Sequence, residues 1–428
     1  MQRCRLKTRR LFVALFLSIL AFSCALSQNY ERARAAEQKV TVEKLGNPSA
    51  EDGLSGRALN VWDLQVFNQK IYLGAGSVAD NSGPIKVWAY DPSKKTFVSE
   101  YTLHEEAIEH FQVIDNALYI PAADPRGNDS NKYYRKQTDG EWKKFASPAV
   151  ELAHVRKIVQ LDDKSLLVVG NGRSSQQPPA QPPGAAITRD RGASFQEVEV
   201  TGIPPTGNSI FIDFSWFLSA FSFDGKVYAV NSILRDTGGY EGYLTVYDPD
   251  TQKLELDLTI DASKFIPVSN IDEEAGKYGL EAIYHIWRTE EFLGNLVYSV
   301  KTFSNIDNNN SIQKNYLNSL GLYVKESMDK PPQEIKFAPQ AVGEDLLVID
   351  NELYALANQK HDEENFTVSI YKTTTPADLS SWSEVLSFES ANRARSFEYL
   401  DNTFYFGLGQ DYGEAIANSG DIVSYTLP

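Results

Sequence analysis

Phe223-Asp224-Gly225-Lys226-Val227-Tyr228-Ala229 is one copy of a seven-residue phrase that decides the fold of this chain. An apolar residue is followed by two turn-forming residues and then by an alternating apolar run that contains tyrosine. Asp-Gly and Asp-Asn accept positive φ without the penalty that branched residues incur, so each copy predicts a tight β-hairpin. The other copies are residues 67–73, 114–120, 293–298, 349–354 and 400–405, with a looser one at 161–167.

The first residues of these copies, here called anchors, recur along the whole chain. They are Phe67, Ile114, Leu161, Phe223, Leu293, Ile349 and Leu400, which lie 47 to 70 residues apart. A second phrase, clearest as Tyr90-Asp91-Pro92 and Tyr247-Asp248-Pro249, follows within the period and predicts an outer hairpin. Two hairpins per period make four strands, and helical periodicity is nearly absent. The sequence therefore predicts an all-β fold, a seven-bladed β-propeller of four-stranded antiparallel blades.

The two ends of the chain are predicted to close the ring. The last repeat stops at residue 428 without room for a fourth strand, whereas residues 39–45 alternate as a strand does. We expect this N-terminal strand to complete the last blade, because closure removes exposed sheet edges. An eight-bladed ring is the alternative if residues 256–278 contain further strands, although they read more as an inserted loop with a short helix.

One turn resembles a known propeller motif. Residues 188–195, Thr-Arg-Asp-Arg-Gly-Ala-Ser-Phe, resemble the Asp-box, Ser-x-Asp-x-Gly-x-Thr-Trp, of sialidase-like and other BNR-repeat propellers, and residues 374–382 resemble a relaxed version. The resemblance implies the propeller fold. In that family the box is a structural turn remote from the active site, so it brings no catalytic residue. The Arg-Ile-Pro phrase of sialidases is missing from this sequence, which disfavours sialidase activity.

The N-terminus predicts export. Five basic residues precede an apolar run at 11–26, which is too short to span a bilayer comfortably and is typical of a secretory signal. We expect a signal or tether in residues 1–36 and one propeller domain in residues 37–428. Ala21-Phe22-Ser23-Cys24 resembles a lipobox that would lipidate Cys24, and Arg9-Arg10 resembles a twin-arginine signal. Soluble secretion by the general route is the alternative, so periplasmic, outer-membrane lipoprotein and extracellular locations all stay open.

Cysteine content and charge exclude several classes of function. Cys4 and Cys24 are the only cysteines, so the domain beyond residue 36 has no disulfide, thiolate nucleophile or cysteine metal ligand. The chain has a formal charge of −16. Residues 1–36 hold seven of its 41 basic and one of its 57 acidic residues, which leaves 34 against 56, or −22. Such a surface disfavours nucleic acid and anionic lipid as partners, leaving a possible lipid anchor as the membrane contact.

A column of charged residues is predicted near the start of each innermost strand. Counting five residues back from each anchor gives Trp62, Glu109, Arg156, Leu218, Arg288, Glu344 and Arg395. Strand alternation places such a column either in the central channel or between blades, and charges between blades are costly to bury. We therefore expect the column to face the channel.

Two interpretations of this column stay open. In the first, Arg156, Arg288 and Arg395 bind an anion with Trp62 and His110 nearby, while Glu109 and Glu344 act on or orient a sugar. In the second, the arginines pair with the glutamates and only hold the ring together. His110, His154 and His285 lie at different depths, so neither a metal site nor a cofactor is predicted.

Two classes of function follow from these features. The leading hypothesis is an exported, non-catalytic, monomeric propeller that binds a glycan or protein ligand through its loop-rich face, which carries the long segments 170–186 and 304–315. The alternative is a carbohydrate-active enzyme, a glycoside hydrolase or lyase, with Glu109 and Glu344 as candidate catalytic residues. An enzyme needs two free carboxylates about 5–10 Å apart in an open pocket. Carboxylates neutralised by arginine would favour binding or scaffolding.

Overall fold

The computed structural model describes most of the chain beyond the predicted signal. The described residues are 39–78, 80–126, 131–147, 150, 152–172, 183–202, 217–234, 240–257, 282–306, 314–362, 364–410 and 415–428. The predicted signal, Cys24 and the twin-arginine motif lie outside them, as do residues 173–182, 258–281 and 307–313 of the predicted loops. Within the described part of the chain, no helix is long and apolar enough to cross a membrane.

Seven antiparallel sheets form the blades of a β-propeller, as the repeat predicts. The first strand, β1, is Glu43–Gly46. Blades 1 to 3 are β2–β5 (Asp63–Phe67, Lys70–Gly74, Ile85–Asp91, Thr96–Leu103), β6–β9 (Gln112–Ile114, Ala117–Pro121, Asn131–Gln137, Trp142–Ala146) and β10–β13 (Leu152–Gln160, Leu166–Gly172, Pro183–Thr188, Gln196–Val198). A short strand, β14 (Val200–Thr201), pairs in parallel with the outer strand of blade 4.

The other four blades follow the same order. They are β15–β18 (Phe217–Phe223, Lys226–Leu234, Tyr240–Asp248, Lys253–Leu256), β19–β22 (Ala282–Phe292, Asn295–Ile306, Lys314–Lys325, Gln333–Ile335), β23–β26 (Ala341–Ile349, Glu352–Asp362, Asn365–Thr373, Ser383–Ser390) and β27–β29 (Arg393–Leu400, Thr403–Gly409, Ile422–Thr426). The only helical elements described are α1 (Pro48–Glu51) and a 3₁₀ turn at Gly56–Leu59.

The anchor phrases form tight hairpins, as predicted. In blade 4 the turn residues Asp224 and Gly225 have φ of 51° and 68°. The corresponding pairs in five other blades also have positive φ, which two-residue hairpin turns of type I′ require. These turns all lie at the ends of the first strands, on what we call the hairpin face. The connections between second and third strands, and the starts of the first strands, lie on the opposite loop face.

The ring closes through the N-terminal strand, as predicted. β1 pairs antiparallel with β29 and is the outermost strand of blade 7. The strand is shorter than expected, because residue 39 bridges to Ser387 of blade 6 and the Val40 amide donates to the Ser387 carbonyl over 2.7 Å. The chain therefore ties together blades 6 and 7 before it enters the ring.

Seven apolar clusters form the core, one between each pair of neighbouring blades. The cluster between blades 4 and 5 packs Phe221 and Tyr228 against Ile286 and Tyr298. The cluster between blades 7 and 1 includes Leu400 and Leu64 and completes the circle. The other five pairs are joined in the same way. Because blades 4 and 5 pack directly, the ring has seven blades and the eight-bladed alternative is wrong.

Candidate functional site

A bulge interrupts the first strands near their starts. In blade 3, Val155 pairs with Gly170 and Lys157 pairs with Val169, which leaves Arg156 as an extra residue. The extra residues at the same place in blades 4, 6 and 7 are Leu218, Glu344 and Arg395. A bulge breaks strand alternation and re-aims the neighbouring side chains. In these four blades the residue of the predicted column is the bulge residue, so alternation does not decide where it points.

The alignment of blade 5 shifts by one residue. Its hairpin pairs Phe292 with Asn295, whereas blade 1 pairs Phe67 with Lys70. The anchor equivalent is thus Phe292 and not Leu293. Counting five back then gives Trp287 in place of Arg288. We call Trp62, Glu109, Arg156, Leu218, Trp287, Glu344 and Arg395 the bulge layer.

Both candidate catalytic carboxylates are neutralised in the bulge layer. Glu109 accepts from Arg156 Nη1 over 2.6 Å and is 6% exposed. Glu344, 1% exposed, accepts from Lys301 and lies 3.8 Å from Arg393 Nη1. Burial raises the pKa of Glu344, but Lys301 and the neighbouring arginines outweigh it and hold the pKa below its usual value. Glu344 is therefore an ionised, fully paired carboxylate that cannot serve as a general acid.

Aromatic rings bring several of the predicted site residues together. The Arg395 guanidinium lies 3.8 Å from the centre of the Trp62 ring, and its Nη1 donates to the Gln410 carbonyl over 2.5 Å. Trp62 packs on Trp287 at 5.9 Å, and Trp287 packs on His110 at 4.2 Å. Trp62, Trp287 and His110 are all buried. These rings make a packed layer across the loop-face half of the channel.

The three histidines considered for a metal site differ in their surroundings, and His110 is buried and neutral. Burial lowers the pKa of its imidazole well below the usual value, and the nearby cations, Lys157 first, lower it further. His154 Nδ1 instead lies 3.0 Å from the Ala123 carbonyl, and the side chain of His285 is outside the described part. No group of three or more potential metal ligands occurs among the residues that the structure describes.

The residues that follow the bulges form a second layer, which we call the channel layer. Its members are Asp63, His110, Lys157, Ser219, Arg288, Asp345 and Ser396. Arg288 donates to Asp63 and its Nε lies 2.9 Å from Asp345 Oδ1. Ser396 Oγ donates to Asp345 Oδ2 over 2.6 Å. Arg288 of the predicted anion site is thus already held between two carboxylates.

Three members of this layer cap the inner edges of the sheets. The inner edge of each first strand has backbone N–H groups without a strand partner, and burying them unpaired is costly. The Phe111 N–H donates to Asp63 over 2.6 Å, the Phe397 N–H to Asp345 over 3.2 Å, and the Leu64 N–H to Ser396 Oγ over 3.0 Å. In each case a side chain of one blade accepts from the backbone of the next. These polar residues therefore join the blades around the channel.

A cavity of about 290 Å³ lies beside the channel layer. The residues that line it are Asp63, Leu64, Gln65, Phe111, Gln112, Val113, Lys157, Arg288, Thr289, Glu290, Asp345, Leu346, Leu347, Phe397 and Glu398. Val113 is 45% exposed and is the residue before the anchor of blade 2, so the cavity opens on the hairpin face. Of the seven predicted site residues, Arg288 alone lines this cavity.

The ionisable groups of the cavity are strongly perturbed. Burial raises the pKa of Glu290 to about 7, with Asp345 adding to the shift, and raises that of Glu398 well above its usual value. Burial, with Arg288 adding to the shift, lowers the pKa of Lys157 to about 8, although Asp63, Glu290 and Asp345 oppose it. Burial also raises the pKa of Asp63, although Arg288 opposes this. Glu290 and Lys157, which titrate close to neutrality inside a cavity, are candidates for ligand contacts.

Sequence reasoning missed Asp63, Lys157, Glu290, Asp345 and Glu398. For Asp63, Lys157 and Asp345 a signal was present one position beyond the predicted column, because the residues four before the anchors are polar in all seven repeats. The charged residues at this position were not recognised, because other repeats have uncharged polar residues there and because blade 5 is shifted by one residue. Glu290 and Glu398 lie outside that position, two residues before Phe292 and Leu400. The predicted site residues do gather in the channel region, but most of them contact one another there.

The Asp-box-like corner in blade 3 is a self-contained turn. Asp190 accepts from Thr188 Oγ1 over 2.9 Å and from Ser194 Oγ over 2.6 Å, and the Gly192 N–H donates to Thr188 Oγ1. The bonds from Ser194 lower the pKa of Asp190 to about 2. These bonds link the third and fourth strands away from the channel, as a structural turn would. Membership of the Asp-box family itself stays a prediction.

Comparisons with known proteins concern the fold alone. No protein-family model matches the sequence, and no curated protein matches it. Among solved structures the chain is similar to the polysaccharide lyase Uly1, with a TM-score of 0.45, 10% identity, and coverage of 86% of this chain and 90% of that one. It is also similar to the β-propeller domain of the Trilobed protease from Pyrococcus furiosus, with a TM-score of 0.42, 10% identity, and 86% and 92% coverage. A third likeness is to the AfRom2 CNH domain, with a TM-score of 0.40, 11% identity, and 90% and 98% coverage.

Proposed function

We propose that this chain is an exported, non-catalytic propeller that binds a glycan or protein ligand through its loop face. The observation that carries the proposal is the state of Glu109 and Glu344, which are buried and paired with cations. Each carboxylate is occupied by a basic side chain of the protein, whereas a catalytic pair has to reach a substrate. A ring held by such pairs is a rigid frame from which a binding surface can be presented.

The loop face offers the surface for this role. The second and third strands of blade 5 are 12 residues long, and the second strand of blade 6 has 11, against five in blades 1 and 2. The extra length extends these hairpins beyond the ends of the first strands. The hairpin of blade 6 ends in exposed Lys360, His361, Asp362 and Glu364. A wall of projecting hairpins on one side of the ring is suited to an extended glycan or a protein surface.

A glycan array and a pull-down with the purified chain test this proposal. The loop-face variant changes Lys360, Asp362 and Glu364 to alanine. Its control, Asp350→Asn, changes one charge on the hairpin face at a turn position with φ of 47° that asparagine tolerates. We expect a bound ligand to be lost with the loop-face variant and kept with the control. Equal binding by both variants would contradict a loop-face site.

If the chain is instead a carbohydrate-active enzyme, we infer that its catalytic carboxyl groups lie in the channel cavity. Four carboxyl groups, Asp63, Glu290, Asp345 and Glu398, line it, and a glutamate whose pKa is about 7 has the properties of a general acid. The test is whether the chain cleaves oligosaccharides by hydrolysis or elimination. Loss of such cleavage in a Glu290→Gln variant that folds normally would favour an enzyme over a binding protein.

A further inference from the structure

Lys157 is a buried cation that Asp63, Glu290 and Asp345 attract without contacting it directly, with Arg288 and the neutral His110 also nearby. Its side chain lines the channel cavity and the residue is 7% exposed. Among the described residues, no hydrogen bond or ion pair reaches its ammonium group, although every other charged side chain of the channel layer has one. Buried ammonium groups are normally paired, because burial alone disfavours the charged form. The cavity next to Lys157 is therefore the place where an anionic partner fits.

The other charged groups that face this cavity limit the charge of that partner. Arg288 is already shared between Asp63 and Asp345, and Gln65 donates to Glu398 over 2.9 Å. Glu290 has neither a hydrogen bond nor an ion pair within the described structure, and its raised pKa keeps much of it protonated near neutrality. Because Arg288 is shared by two carboxyl groups, the surroundings of Lys157 already carry negative charge. The cavity therefore suits at most one further negative charge, whereas a doubly charged phosphate would meet repulsion on several sides.

The volume of the cavity and its uncharged polar residues limit the size of the anionic partner and its other functional groups. A volume of 290 Å³ equals about ten water molecules in the liquid, which fits a small organic molecule of monosaccharide size. Thr289 on the wall can bond hydroxyl groups. The amides of Gln65 and Gln112 also line the wall, where they bond Glu398 and the Ile158 backbone and offer their remaining donor and acceptor positions. A protonated Glu290 can also donate a hydrogen bond to a carboxylate.

We propose that the channel cavity binds a small hydroxylated carboxylate, such as a sugar acid, whose carboxylate pairs with Lys157 and hydrogen-bonds to Glu290. This site opens on the hairpin face and is separate from the loop face, so it stands whether or not a glycan or protein binds there. Binding favours the protonated forms of both side chains. Affinity is therefore highest below pH 7 and falls as the pH rises through 7 and 8.

Isothermal titration calorimetry and thermal shift of the full chain test the site. The probes are D-glucuronate, D-gluconate and lactate, with D-glucose, inorganic phosphate and calcium chloride as comparisons, at about pH 6.5 and about pH 9. We expect a hydroxylated carboxylate to bind and stabilise the protein at the lower pH, with about tenfold or greater weakening at the higher pH. A response to phosphate, glucose or calcium without one to the carboxylates overturns the proposal, as does the lack of any response.

Two variants separate binding from folding. Lys157→Met removes the charge and keeps the length, and it should weaken carboxylate binding by about tenfold or more while leaving the unliganded melting temperature unchanged or higher. A clear drop in that melting temperature would show that Lys157 is structural and would overturn the proposal. Glu290→Gln keeps the donor and should remove the fall in affinity near pH 7, while the fall near pH 8 that comes from Lys157 stays. The control is Lys253→Met, which removes an exposed lysine paired with Glu199 in blade 4 and should bind like the unmodified chain.

Discussion

The bulge layer and the cavity beside the channel layer lie next to each other but satisfy their charges in opposite ways. In the bulge layer, Glu109 and Glu344 each have a basic partner, and Arg395 stacks on Trp62. In the cavity, Lys157 and Glu290 face open volume without a hydrogen bond or ion pair to any described residue. The comparison teaches that charge density in a channel does not mark a binding site. We infer that charge left unpaired beside a cavity is the better indicator of a binding site.

The largest effect should come from breaking the most buried pair of the bulge layer. Glu344→Ala leaves Lys301 buried without its carboxylate, which should lower the free energy of unfolding by about 3–5 kcal/mol in urea denaturation. The matched control is Glu334→Ala, whose partner Lys336 is exposed and where the loss should be below about 0.5 kcal/mol. Similar losses in both variants would mean that the bulge layer does not hold the ring.

A second buried lysine sharpens the contrast with Lys157. Lys132 is fully buried, and its Nζ donates to the carbonyls of Val150 and Leu152 over 2.9 and 2.6 Å. Lys132→Met leaves both carbonyls without this donor and should cost about 2–4 kcal/mol of unfolding free energy. Lys157→Met breaks no such bond. If the two methionine variants melt alike, the difference drawn here between paired and unpaired lysines is wrong.

The smallest expected effect is a change in how the free energy of unfolding depends on pH. The pKa of Glu290 is raised to about 7, so between its unfolded value and pH 7 the native state holds a proton that the unfolded state has lost. Stability from this group therefore falls as the pH rises from about 4.5 to about 7, by about 1–3 kcal/mol in total. Glu290→Gln should remove this slope, as measured by urea unfolding at several pH values. A slope that the variant leaves unchanged would assign it to another group.

The fold was predictable because its decisive features are local. The turn at Asp224-Gly225 needs positive φ at both positions, and the Asp-Asn pairs at the same place in blades 2, 6 and 7 reveal this need by residue type. Blade 5 meets it with Leu293-Gly294, which is why its alignment was displaced by one residue. Ring closure followed from the same reasoning, since a blade with three strands leaves an edge that another segment must cover. Even there, the pairing of residue 39 with Ser387 depends on how blades 6 and 7 meet, which no local pattern contains.

The site was less predictable because bulges and pairs depend on tertiary structure. Arg156 and Lys157 are neighbours in sequence, yet the bulge between Val155 and Lys157 gives one an ion pair and leaves the other facing the cavity. The partner of Glu344 is Lys301, 43 residues away in another blade. Counting back from anchors found the right region of each strand, but it could not tell which charges would neutralise each other.

The most direct measurement of the central claim is a crystal structure of the full chain soaked with D-glucuronate at about pH 6.5. We expect the sugar acid in the channel cavity, with its carboxylate within hydrogen-bond distance of Lys157 Nζ and of Glu290. The Glu109–Arg156 and Lys301–Glu344 pairs should be unchanged. A sugar acid bound instead to Arg156 or Arg395 after displacing these pairs would contradict the claim. A cavity that contains only water, with Lys157 hydrogen-bonded to protein groups, would contradict it equally.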